Sequence, residues 1–314
     1  MKGALRLAAA GLAAALAIAL SIPGPAQPQQ AAQAPPASSA RTRVDLELVL
    51  AVDVSQSMDY DEHELQRNGY VEAFRHQDVI RAITGGPEGK IAVMYMEWAG
   101  MFDPIPVIPW TIIDSEQAAR AFADRLSREP PYSEQRTSIS TALLAAANYI
   151  ETNTIAGHRR VIDVSGDGAN NTGPPVEQAR DSVLRRGIIV NGLPILLNKP
   201  REFYDIDHLD RYYKDCVIGG EGAFIAPVYD LRHLASTIRK KLVMEIASIE
   251  LDNGAAPVQF GEARPPRSPL APGVHQVQLR LPTTRTDCMI GERVMGGRGF
   301  GGFDDFGGRP PPRR

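Results

Sequence analysis

Cysteine is nearly missing from this chain, basic residues are not in excess, and aromatic side chains make up only 6% of it. Two cysteines, Cys216 and Cys288, are too few for a disulfide-built scaffold and too far apart for a CxxC zinc or redox pair. With 34 basic against 37 acidic residues the net charge is −3, so the electrostatic footprint of a nucleic-acid-binding domain is absent and no nucleic-acid partner is expected. The six histidines show no HxxxH or HExxH spacing, which disfavours a zinc hydrolase. GxSxG and GxxxxGK[ST] are missing too, which removes the usual signatures of a serine hydrolase and a phosphate-binding loop. What remains is 43% hydrophobic residues in 314, enough for one large domain or two modest ones held by an apolar core.

Long apolar runs are also scarce. The one from Leu7 to Ile22 follows Lys2 and Arg6 and precedes small residues, as in a Sec-type secretory signal peptide. It is shorter than the roughly 20 residues a spanning helix needs. Cleavage is expected after Ala26, with Ala34 as a second candidate, leaving no stable membrane span and placing the mature chain in a bacterial periplasm or outside the cell. Residues 27–43 are Pro, Ala, Gln and Ser without an aromatic and read as a linker that does not order. Residues 285–314 are rich in Gly, Arg and Pro and read as a tail of the same kind. Export would put Cys216 and Cys288 in an oxidising compartment where they could pair; the position of Cys288 at the edge of that tail weighs against a bridge.

Between linker and tail, strand and helix patterns take turns. Val44–Val52, Ile91–Ala99, Ile105–Trp110, Arg159–Ser165, Gly187–Leu197 and Phe224–Val228 have the apolar runs of strands. The third carries prolines, which suits an antiparallel edge. Helical spacing runs from Asp59 toward His76 with Leu65, Val71 and Phe74 as its apolar stripe. It recurs over Ser115–Ser127, Ile139–Ile150, Pro175–Arg186 and from Leu231 to Ile246. The acidic group Asp59, Asp61, Glu62, His63 and Glu64 reads as a solvated first turn. This alternation predicts an α/β fold, a doubly wound and mostly parallel sheet with helices on both faces, over residues 44–248. An extension over 249–284 holds one more candidate strand, Val274–Leu281.

In such folds ligands sit at the carboxyl ends of the strands. The first strand runs into Asp53-Val54-Ser55-Gln56-Ser57, where alternate positions carry a carboxylate and two hydroxyls. Thr137 opens a later helix and Asp167 stands in the turn SGDG after the strand VIDVS. Carboxylate and neutral oxygens together form a hard ligand set, suited to Mg²⁺, Mn²⁺ or Ca²⁺ rather than to zinc or copper. Taken alone, a DxSxS element is more often a helix cap.

These three motifs, in this order and spacing, resemble the metal-ion-dependent adhesion site of von Willebrand factor type A domains. Runs such as YMEWAG, RTSIS, VIDVSGDGANN and CVIGGEGAF resemble an uncharacterised group of exported bacterial proteins, domain of unknown function 1194. The resemblance implies that Ser55, Ser57 and Thr137 contact a divalent cation while Asp53 and Asp167 contact it or hold its waters. It further implies that the cation captures an Asp or Glu of a protein partner. One departure stands out: the family reads Thr-Asp-Gly at the third motif, and here Gly166 replaces the threonine. Asp163 is therefore a candidate substitute ligand or a buried strand residue, and Asn170 and Asn171 are candidate rim residues. The alternative is a Mg²⁺-dependent phosphoryl-transfer enzyme or another hydrolase on the same scaffold. Against it, Ser55 stands where a second carboxylate would act as acid and base.

Overall fold

The computed structural model describes residues 41–58, 60–100, 104–130, 132–196, 206–247 and 286–296. The expected signal peptide, most of the linker, Asp59 of the acidic group and the candidate strand Val274–Leu281 lie outside these residues.

Five strands form one sheet in the order β3-β2-β1-β4-β5. They are β1 (Thr42–Asp53), β2 (Ile91–Trp98), β3 (Ile105–Ile113), β4 (Ile155–Gly166) and β5 (Ile189–Pro194). β1 is central and pairs in parallel with β2 and β4, and β5 extends the parallel run. β3 lies antiparallel at the edge, where Pro106 and Pro109 can forgo ladder hydrogen bonds. Segment 224–228, expected as a sixth strand, instead makes isolated parallel bridges to β5, Gly192 to Ile225 and Ile195 to Val228.

The side-chain period of two assigns the core. Leu46, Leu48, Leu50 and Val52 pack against helices α1 (Tyr60–Arg75), α2 (Gln77–Thr84), α3 (Glu116–Leu126) and α7 (Leu234–Ala247). Val49 and Ala51 pack on the opposite face against α4 (Ile139–Thr152), α5 (Val176–Arg185) and the short α6 (Leu209–Tyr212), which continues as a π-helical turn to Val217. The doubly wound fold expected from the alternation is the one observed. Among the described residues no helix is long and apolar enough to cross a membrane.

Several local expectations are corrected. β1 begins at Thr42, paired with Ile155, so the last two residues assigned to the linker belong to the sheet. The helix expected to run toward His76 ends at Arg75, and α2 starts afresh because the His76 ring nitrogen caps Asp78 N–H at 3.1 Å. Leu65 is 45% exposed rather than part of the buried stripe. Glu62 and His63 are buried, so the acidic first turn is only partly solvated.

The largest correction concerns residues beyond 285. Cys216 and Cys288 form a disulfide, and Ile290–Gly296 is a helix, α8. The tail reading failed because glycine and arginine content says nothing of a covalent anchor. Closing a loop across 72 positions restricts the unfolded chain by about 4 kcal/mol in the chain-entropy account. Residues 297–314 lie outside the described residues.

Candidate metal centre

The chain steps from β1 outward to β2 and β3, then returns to β4 on the other side of β1. The winding therefore reverses beside the C-terminal ends of β1 and β4, the crevice that such sheets use for ligands. Register places Val52 opposite Ser165, so Asp53 ends one strand where Gly166 ends its neighbour. Segment 54–56 is tied to the loop before α4 by Glu134 N–H to the Val54 carbonyl and Gln56 N–H to the Glu134 carbonyl, both 2.9 Å. Thr137 enters from that loop.

Ser55, Ser57, Thr137 and Asp167 line one cleft of ≈ 360 Å³, together with Gln56, Gln135, Arg136, Gly168, Ala169, Asn171 and, from α8, Gly291, Val294 and Met295. Ser57 Oγ donates to Asp167 Oδ1 at 2.6 Å, and the Ser55 and Ser57 hydroxyls are 2.9 Å apart. Asp53 lies beneath this cleft, fully buried, with Oδ1 accepting the Ser55 N–H at 2.8 Å. Its Oδ2 is buried with no hydrogen-bond partner among the described residues. Burial first, and then the nearby charge of Asp167, push the Asp53 carboxyl well above the usual carboxylate range. An orphaned carboxylate oxygen beside a second carboxylate and three hydroxyls fits a hard divalent cation, which would relieve both the desolvation and the like-charge repulsion. Among the described residues no group of three or more His, Cys, Asp or Glu could hold a metal, so the hydroxyls are indispensable to any such site.

The missing threonine of the third motif has a structural counterpart. A Cβ on Gly166 would stand 2.6 Å from Asp53 Oδ2 and 2.8 Å from the Tyr213 hydroxyl. Tyr213, from the π-helical turn after α6, thus brings its hydroxyl into the space that a threonine side chain would occupy. The Tyr213 hydroxyl is itself buried and unpartnered among the described residues. Burial and then the charge of Asp53 hold it well above its ordinary pKa. Sequence reasoning missed Tyr213 because it lies 47 positions beyond Gly166, and no local pattern links the two.

Asp163 is not in the cleft. It faces α7, where its carboxylate pairs with Lys241 Nζ at 2.6 Å; Lys241 also bonds Glu245. Asn170 and Asn171 clamp loops together. Asn171 Oδ1 accepts the Thr137 N–H at 2.9 Å while its own N–H reaches the Thr137 carbonyl at 2.9 Å. Asn170 Oδ1 accepts the Ser140 N–H at 3.0 Å, and its amide donates to Glu292 of α8 at 2.7 Å. α8, unforeseen as structure, is thereby fastened to the loop that carries Asp167.

Fold and site define a doubly wound α/β domain with an oxygen-rich cleft at its switch point. The chain belongs to the family described as "Protein of unknown function (DUF1194)", whose model matches residues 43–250. No curated protein matches it. Among solved structures, proximal thread matrix protein 1 from the mussel byssus is similar at 14% identity and a TM-score of 0.48, over 66% of this chain and 49% of that one. A second structure of that matrix protein is described with a zinc-occupied MIDAS motif. The pilus adhesin SpaC from Lactobacillus rhamnosus GG is similar at 12% identity and a TM-score of 0.48, over 67% of this chain and 31% of the adhesin. A von Willebrand factor type A protein from Catenulispora acidiphila follows at 15% identity and 0.45, over 65% and 43%. The chain thus spans about half the length, or less, of these structures.

Proposed function

We propose that this protein is an exported binding module in which a divalent cation, Mg²⁺ or Mn²⁺ or Ca²⁺, captures an acidic residue of a protein partner. Ser55, Ser57, Thr137 and Asp167 would face the ion, and Asp53 would support the set from beneath. The observation that carries this reading is the convergence of three separate chain segments on one cleft, above a buried carboxylate oxygen that no side chain of the described residues satisfies. A hard cation in an open cleft can exchange a bound water for an incoming carboxylate oxygen. Export to the periplasm or beyond is supported by the apolar run at the N-terminus and by the Cys216–Cys288 bridge, which persists in oxidising compartments.

The phosphoryl-transfer alternative would need Asp53 as nucleophile. Its full burial beneath Ser55 leaves no approach for a phosphoryl group, and the neighbouring side chain at position 55 is a hydroxyl rather than an acid.

Titration of the purified protein with Mn²⁺ tests the reading. Binding is expected in the wild type and lost in Asp167→Asn and Asp53→Ala. Equal binding by wild type and both variants would remove the site. Capture of an envelope protein that is released by EDTA, together with no metal-dependent turnover of phosphate or carboxyl esters, separates binding from catalysis.

A further inference from the structure

The proposed ligand set contains two carboxylates, and these cancel the formal charge of a divalent cation. A cleft that then attracts a carboxylate needs positive charge from elsewhere. Arg136 and Asp167 are the charged residues among those lining the cleft. Arg136 is half-buried and precedes Thr137 directly. Its φ of 67° lies in the left-handed region that favours glycine, and such conformations in other residues persist only where surrounding structure holds them.

That structure is present on both sides. Thr137 N–H is fixed by Asn171, Ser138 N–H by the Ala99 carbonyl at 3.0 Å, and Gly100 N–H by the Gln135 carbonyl at 3.2 Å. Gly100 also makes the approach possible, because a Cβ there would stand 2.3 Å from Arg136 Cβ. Several other partly buried arginines are engaged. Arg67 pairs with Glu97, Arg180 with Asp181, Arg186 with Glu151, and Arg159 donates to the Glu245 carbonyl. Among the described residues Arg136 has no carboxylate within ion-pairing distance. A left-handed backbone therefore presents in the cleft, beside the hydroxyl proposed to hold the metal, a cation with no ion-pair partner among the described residues.

We propose that Arg136 is the specificity-determining residue of this cleft, supplying the net positive charge and a second contact for the carboxylate that the cation binds. The inference rests on the carboxylate-capture reading above. A planar guanidinium suits a carboxylate shared with an ion, since its fork donates two bonds where an ammonium offers a point charge.

Acetate is the probe: in the Mn²⁺-loaded protein, relaxation of its methyl protons reports entry to the ion, and free Mn²⁺ is followed separately by paramagnetic resonance. Arg136→Ala is expected to bind Mn²⁺ as tightly as wild type or a few-fold tighter, yet to bind acetate about tenfold more weakly. Arg136→Lys should recover part of that loss. Arg136→Gly relieves the left-handed backbone, so it should melt at a higher temperature than wild type while still losing acetate, an outcome that a structural arginine would not give. If Mn²⁺ binds and Arg136→Ala holds acetate as well as wild type does, the role assigned to Arg136 is overturned alone. If wild type binds no Mn²⁺, it falls together with the reading beneath it.

Discussion

On the α1 and α7 side of β4, Asp163 and Glu245 are gathered around Lys241; at the C-terminal end of the same strand, Asp53 and Asp167 are gathered around hydroxyls and backbone amides. Both groups are cut off from water to a large extent. In the first, Lys241 is 1% exposed and its ammonium, although burial alone would lower its pKa, is held above its ordinary value by the two carboxylates. In the second, the Asp53 pKa is also raised, but for an acid that favours the neutral form, so here burial and like charge discharge the group instead of keeping it ionised. The chain supplies its own counter-charge where the need is structural. At the cleft, the counter-charge we propose for the two aspartates is an ion from solution, with Arg136 beside it.

The comparison is most severely tested at Lys241. Lys241→Met leaves Asp163 and Glu245 buried without their cation and should lose about 3–5 kcal/mol of stability, read from denaturant midpoints. A loss below about 1 kcal/mol would mean that the pair is not compensated as described. Next comes the packing beneath the cleft. Gly166→Ala, which drives a methyl group against Asp53 and the Tyr213 hydroxyl, should cost about 1–3 kcal/mol. Tyr213→Phe in the same chain should restore part of it by removing one of the two obstacles, and additive effects would contradict the contact.

Charge removal then distinguishes the two groups by sign. Without metal, Asp53→Asn should leave stability unchanged or raise it by about 1 kcal/mol, since it deletes a buried charge facing another. Asp163→Asn should lower it, because Lys241 loses a partner. Adding Mn²⁺ should raise the melting temperature of wild type and of Asp163→Asn, but not of Asp53→Asn. Equal signs in the metal-free melts would abolish the contrast.

The smallest expected effect is a pH dependence. Burial, followed by the charge of Asp163, raises Glu245 from 4.5 to about 7 despite the opposing pull of Lys241. A carboxyl whose pKa is raised on folding binds its proton more readily in the native state. Its stabilising contribution is therefore complete below pH 4.5 and lost as pH climbs toward 7. Glu245→Gln, which keeps the Asn191 neighbour and carries no charge, should flatten the melting temperature over that window. An unchanged slope would assign the dependence to other groups.

Much of the candidate site was legible from residue type and position. The strand ending at Asp53 announces itself by a continuous apolar run, and its alternate side chains fix Ser55 and Ser57 relative to Asp53. Thr137 precedes, and Asp167 follows, an element whose periodicity is equally plain. Asp163 was not decidable in this way. Alternation puts it on the face shared with Val161 and Ser165, but its partner Lys241 stands 78 positions later on a helix that could have packed elsewhere. α8 was illegible for a related reason: its placement depends on a disulfide and on the Asn170–Glu292 bond, neither of which local composition encodes. Leu65 misled because an apolar residue at helical spacing need not face the core when Gln66 is buried instead, with its amide on the Ser165 hydroxyl at 2.8 Å.

The amino-acid order by itself determined the doubly wound sheet, the placement of Asp53, Ser55, Ser57 and Asp167 after strand ends and of Thr137 before a helix, and the oxygen-only character of the set, because strand periodicity, turn chemistry and ligand hardness are local properties. Only the tertiary structure decided that Asp163 belongs to Lys241, that Tyr213 fills the space left by Gly166, that Arg136 stands in the cleft, and that a C-terminal helix walls it. Each of these depends on which distant surfaces meet, and that is settled by the packing of the whole core rather than by any stretch of the chain.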